Sequence, residues 1–124
     1  KTLLYTVDEA WATPGDSGYR TFDTPCGVLG VGICMDLNDD RFIAWLAASQ
    51  VDVLAFPTNW VQEDHDVWSY WAWRLGHLKT TLVAANTYGN EAEIGFTGRS
   101  VILKDRNVLS YAPVSGNGVI WAAV

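Results

Sequence analysis

Among 124 residues, the side chains able to do nucleophilic, acid–base or metal chemistry are few, with only two cysteines and two histidines. Cys34 ends an apolar run, residues 27–34 (GVLGVGIC), and opens a polar stretch, residues 36–40 (DLNDD). Such a junction sets a side chain at the carboxyl edge of a sheet, where open α/β folds hold their ligands. A helix start seeded by Asn38 or Asp39 favours the thiolate, and the thiolate is the nucleophile. Spacing alone leaves a plainer reading ahead, because free cysteines are among the most buried residue types.

Other chemistries find less support. His65 and His77 are isolated, with no second histidine one helical turn away. A metal site on Glu63, His65 and Asp66 needs ligands on one face, and these three do not share one. No metal or cofactor is therefore expected. GVLGVG does not match G-x-G-x-x-G and there is no P-loop, so nucleotide binding has no support. With both histidines badly placed, activation of Cys34 falls to Lys or to carboxylates. Cys26 and Cys34 flank one predicted strand, roughly 26 Å apart at about 3.3 Å per residue. A disulfide needs Cα atoms within about 7 Å, so two reduced thiols are expected.

The elements that must position Cys34 follow from periodicity. Residues 1–7 are short and extended in character, and 8–20 carry loop chemistry in Pro14, Gly15, Asp16 and Gly18. Residues 27–34 and 51–56 suit strands buried on both faces, the second closed by Pro57. Between them Phe42, Ile43, Trp45, Leu46 and Ala47 recur at helical spacing up to about Gln50. A second helix is predicted from about Asp64 to His77, with Val67, Trp68, Trp71, Leu75 and Leu78 in one stripe. Residues 80–86 make a third strand, followed by a Gly-rich loop. Strands at 99–103, 107–112 and 119–124, joined by hairpin turns, complete the chain. This order predicts a mixed α/β sheet with helices on one face, and its other face needs cover.

Composition bounds the function. Eight Lys and Arg against fourteen Asp and Glu leave a formal charge of −6, which argues against nucleic acid or an anionic membrane as partner. Hydrophobic residues make up 49% and charged residues 18%, so a disordered chain is excluded. Seven Trp suggest apolar surface that expects a partner or a further part of the fold. There is no signal-peptide pattern and no run of about 18 apolar residues, so a cytoplasmic protein is expected.

The motifs, in order, resemble the nitrilase superfamily of carbon–nitrogen hydrolases. Gly32-Ile33-Cys34-Met35-Asp36-Leu37 looks like the family's nucleophile motif. Lys1-Thr2-Leu3-Leu4 resembles its Lys motif, with Leu3 where members usually carry His. Glu9 stands where many members place a second active-site glutamate. Pro57-Thr58-Asn59-Trp60 resembles a segment lining the substrate pocket. Arg74 matches a family Arg, although Leu75 and His77 replace the usual Ala and Glu. Ala84-Ala85-Asn86, Gly89, Phe96-x-Gly98-x-Ser100 and Val108-Leu109 continue the pattern along the whole chain.

The resemblance implies an αββα sandwich of which residues 1–124 supply roughly the C-terminal half of one domain. It implies amide hydrolysis through a thioester on Cys34. Lys1 and the Met35 backbone N–H would hold the oxyanion, and Glu9 would orient substrate or assist water. Asn59, Trp60 and Asp36 would be substrate-binding, Asp36 also suiting a brace of the loop after the nucleophile. The general-base glutamate has no counterpart, so the chain alone is expected to be inactive. The implied partners are a small-molecule amide and further copies of the chain, with Trp45, Trp68 and Trp71 as interface candidates. The motif after Cys34 looks more amidase-like than nitrilase-like. Nitrile hydrolysis or N-acyl transfer on the same fold, a non-catalytic association module, and a thiol redox sensor are the alternatives.

Overall fold

The computed structural model describes residues 1–124. Eight strands and two α-helices follow one another: β1 (Thr21–Thr24), β2 (Gly27–Val31), α1 (Asp40–Ala48), β3 (Val53–Thr58), α2 (Val67–Leu75), β4 (Thr81–Asn86), β5 (Tyr88–Glu91), β6 (Ile94–Thr97), β7 (Val101–Lys104) and β8 (Asn107–Tyr111). Six strands form one sheet in the order β1-β2-β3-β4-β7-β8, and β5 and β6 pair apart. The β2, β3 and β4 strands are parallel, whereas β1, β7 and β8 join antiparallel. The two crossovers between parallel strands are the helices, as short parallel connections require.

Both helices begin on an aspartate cap. The Asp39 carboxylate accepts from the Arg41 N–H at 2.9 Å, and that of Asp66 accepts from Ser69 N–H at 2.8 Å. Each cap satisfies one of the donors that a helix start leaves unpaired. Relative to the apolar periodicity, which suggested 42–50 and 64–77, α1 is displaced two residues towards its N-terminus, and α2 is shorter at both ends.

The core lies between the helices and one face of the sheet. Leu54, Leu82 and Leu103 stand in register across β3, β4 and β7, and all three are buried. Against them pack Phe42, Leu46, Trp71 and Leu75. Trp71 is 0% exposed, so it is a core residue and not the subunit-interface candidate its stripe suggested. The helices thus cover one face, as expected. The other face carries Phe22, Val31 and Val83, each exposed by more than a third of its surface.

Several elements differ from the sequence reading. The β3 strand does not close at Pro57 but continues to Thr58. Gly32 donates to the Ala55 carbonyl, so the alternate position, Pro57, faces a side from which β2 has already departed. Its missing N–H therefore costs no ladder bond. Residues 119–124 form no strand. Beyond Pro113 the segment finds no ladder partner, and Val119 is 93% exposed. The predicted Gly-rich loop is in fact the β5–β6 hairpin, whose turn holds Ala92 at φ 52 without the Asn-Gly signal that marks such turns. Residues 1–7 contain no strand, and β1 was not foreseen.

Candidate active site

Cys34 lies just past the carboxyl end of β2 and starts a 3₁₀ turn, Cys34–Asn38. Its φ is 51, in the left-handed region that L-residues other than Asn and Asp seldom occupy. Holding a cysteine there costs about 1–3 kcal/mol, and such strain persists where surrounding contacts over-determine it. Those contacts are specific. Gly32 packs so closely on Phe42 that a Cβ would lie 2.3 Å from the ring Cζ. The Leu37 carbonyl accepts from Arg74 Nε at 2.8 Å. Tyr70 donates its hydroxyl to Asn38 Oδ1 at 2.6 Å, and Asn38 Nδ2 in turn reaches the Met35 sulfur at 3.1 Å. Burial pushes the Tyr70 phenol above its ordinary range, which keeps it a donor. Through α2, then, the fold pins the turn that carries the thiol.

Asp36 ties a second stretch of chain to this turn. It is 2% exposed, and its carboxylate accepts from the N–H groups of Thr2 at 2.7 Å, Leu3 at 2.8 Å and Ile33 at 3.0 Å. With its acceptor oxygens committed to backbone and its side chain outside the cavity wall, Asp36 is a brace and not a substrate contact. The brace brings Lys1 to the same cavity as Cys34. Lys1 Nζ pairs with Asp8, and the Lys1 carbonyl accepts from Gly15 N–H at 2.9 Å. The Met35 N–H, at the start of the turn, donates to no backbone carbonyl or side chain of the chain.

The cavity measures about 850 Å³, within the size range of small-molecule sites. Its walls are largely apolar, including Tyr5, Trp11, Ile33 and Phe96, with Lys1, Asp8, Cys34, Asn59 and Glu91 as the polar groups able to act. The residues singled out by sequence divide accordingly. Cys34, Lys1 and Asn59 share the cavity, and Met35 follows Cys34 in the chain but is not on the cavity wall. Glu9 does not. It is exposed on a single 3₁₀ turn, Asp8–Ala10, that points its neighbour Asp8 at Lys1. Trp60 is also excluded: it is 7% exposed and packs edge-on against Trp71 at 5.6 Å, inside the core.

Asp8, Asn86 and Glu91 were given no role from sequence. Asn86 is buried and accepts from Trp60 N–H at 2.9 Å while its amide donates to Thr97 Oγ1 and Gly98 O, each at 2.6 Å. It thereby fixes the segment carrying Asn59. Linear spacing does not assign these roles: Asn86 acts through partners that the sheet brings close, and Asp8 reaches Lys1 through the 3₁₀ turn Asp8–Ala10. No group of three His, Cys, Asp or Glu side chains is arranged to hold a metal ion. No helix is long and apolar enough to cross a membrane.

A cysteine on a strained strand-to-turn junction thus shares one cavity with a lysine–carboxylate pair. Comparison with known proteins gives the class. The chain is 32% identical over 115 residues to a nitrilase of Pyrococcus abyssi, covering 90% of the chain and 42% of the relative. It is 31% identical over 114 residues to mouse pantetheinase, covering 85% and 21% respectively. A citrullinase of Francisella tularensis is 27% identical over 128 residues, covering 93% and 45%. An amidase from Nesterenkonia sp. shares the fold with a TM-score of 0.81 at 24% identity, covering 93% of this chain and 45% of that one. A mutant of the Nesterenkonia sp. AN1 amidase, with the acetamide moiety of fluoroacetamide added covalently at its active-site cysteine, matches with a TM-score of 0.82 at 23% identity, covering 92% and 44%. No protein-family model matches the chain. The chain belongs to the nitrilase superfamily, a family of carbon–nitrogen hydrolases, and has its α/β fold. It spans less than half the length of these relatives.

Proposed function

We propose that the chain carries the nucleophile of an amidase that works through a thioester. Cys34 attacks the amide carbon, forming an S–C bond while its proton passes to a carboxylate. The tetrahedral oxyanion is held by the Met35 N–H and the Lys1 ammonium, donors worth about 3–4 kcal/mol each in such sites. The carboxylate returns the proton to the leaving nitrogen as the C–N bond breaks. Water then splits the thioester, releasing the acid and restoring the thiol. Asp8 is engaged by Lys1, so we assign the general base to a glutamate outside residues 1–124. The observation carrying this reading is the free Met35 N–H at a strained Cys34 that opens on the same cavity as Lys1.

Brief treatment with fluoroacetamide followed by peptide mass mapping tests the nucleophile. Acetamide on Cys34 ahead of the more exposed Cys26 is the expected result, and equal labelling overturns it. Ammonia release from short amides tests the base assignment, since residues 1–124 alone are expected to give none and robust turnover would sink it. Nitrile hydrolysis, the activity in the Pyrococcus relative's name, is a second reading that uses the same attack. Two free thiols favour a reducing, cytoplasmic setting. A homo-oligomer built through α1 and α2 belongs to the same proposal, with Trp45 and Trp68 as contacts.

A further inference from the structure

We infer that Glu91 selects the charge of the substrate: amides bearing a positive group remote from the scissile bond are favoured, and those ending in a carboxylate are disfavoured. The inference rests on the cavity of Cys34 being the reaction site proposed above. Apart from Cys34 and Tyr5, the ionisable side chains on the cavity wall are Lys1, Asp8 and Glu91. Lys1 and Asp8 neutralise one another as an ion pair. Glu91 has no ion pair and no side-chain hydrogen bond, so among residues 1–124 its charge is the one left to act on a bound molecule.

The placement of Glu91 is set by the fold. It ends β5, opposite Ile94 of β6, in a hairpin whose Ala92, Ile94 and Phe96 also face the cavity. That hairpin is docked, not free. Phe96 bridges to Val61, Gln62 N–H donates to the Gly95 carbonyl at 2.8 Å, and Thr97 N–H donates to the Trp60 carbonyl at 3.1 Å. An unpaired carboxylate against largely apolar walls suits an amide with an apolar body and a cationic end.

Charged methanethiosulfonates read this selection without turnover. Each forms a mixed disulfide with the thiolate and expels methanesulfinate, the thiol proton going to solvent. The cationic trimethylammonioethyl and anionic sulfonatoethyl reagents are compared at Cys34, with Cys26 of the same chain as reference. A unit charge about 8 Å from a carboxylate in water-like surroundings gives cation and anion rates about fivefold apart. This preference at Cys34 is expected at low salt and should fade near 1 M salt, where screening length falls to about 3 Å. Glu91→Gln should remove most of it and Glu91→Lys should reverse it, with the Cys26 ratio unmoved. A Cys34 ratio unchanged by both substitutions overturns the selection by Glu91. Labelling of Cys26 but not of Cys34 by either reagent overturns the site reading itself.

Discussion

Asp36 offers a quantitative test of how the site is held together. Its buried carboxylate accepts three backbone N–H groups, two from the segment of Lys1 and one from the residue before Cys34. Hydrogen bonds to a charged group contribute about 1.5–3 kcal/mol each. Thr2 and Leu3 are only half-buried, so water recovers part of the loss at their amides once the carboxylate is gone. Asp36→Ala is accordingly expected to cost about 3–5 kcal/mol, a large share of a small domain's stability. Asp36→Asn keeps one carbonyl oxygen but turns an NH₂ toward a donor, and should cost about 2 kcal/mol. Urea unfolding followed by fluorescence reads this directly. With m near 1–2 kcal/mol/M, Asp36→Asn should lower the midpoint by about 1–2 M at unchanged m. Hydrogen exchange at the Thr2 and Leu3 amides should speed up in parallel. An Asp36→Asn variant within about 0.5 kcal/mol of the parent, with those amides still protected, would refute the brace.

Three further outcomes are expected. Gly32→Ala forces a methyl onto the Phe42 ring, 2.3 Å from Cζ, and should cost about 1–3 kcal/mol by thermal or urea unfolding. Trp60→Ala, in the core and not on the cavity wall, should lose about 3–5 kcal/mol of stability, whereas Asn59→Ala should leave stability near that of the parent. The helix caps set an acid dependence. The Arg41 hydrogen bond holds Asp39 below the usual carboxylate range. Burial pushes Asp66 up, but bonds from Ser69 and the Arg99 guanidinium outweigh it and leave Asp66 low as well. Groups with lowered folded pKa stabilise above their unfolded value, so this stability is lost as pH falls below about 4. Asp66→Asn should flatten that slope in acid titrations of unfolding, and an unchanged slope would count against the cap.

The parts of the fold with strong periodicity were legible. The β2, β3 and β4 strands and both helices follow from apolar runs and stripes, since burial on two faces or on one stripe writes itself into residue order. Cys34 was legible too, because a strand-to-polar-loop junction is a local feature. What sequence could not supply is set by distant partners. Asp8 rather than Glu9 meets Lys1 because a single 3₁₀ turn decides which neighbour points inward. The PTNW segment splits between cavity and core because Asn86, 26 positions further on, pulls the Trp60 backbone inward. The β5–β6 hairpin stayed hidden because neither Gly89 nor Gly95 favours a strand and Ala92 is an unusual residue for a left-handed turn.

The two thiols sit at opposite ends of β2, Cys26 in the turn before it and Cys34 beyond its last residue. Because β2, β3 and β4 all run the same way, the end bearing Cys26 lies away from the cavity. A fluorophore or spin label on Cys26, with Cys34→Ala in place, therefore gives an observation post outside the chemistry. From there, docking of any further chain segment or copy onto the exposed sheet face can be followed as a change in the label's surroundings.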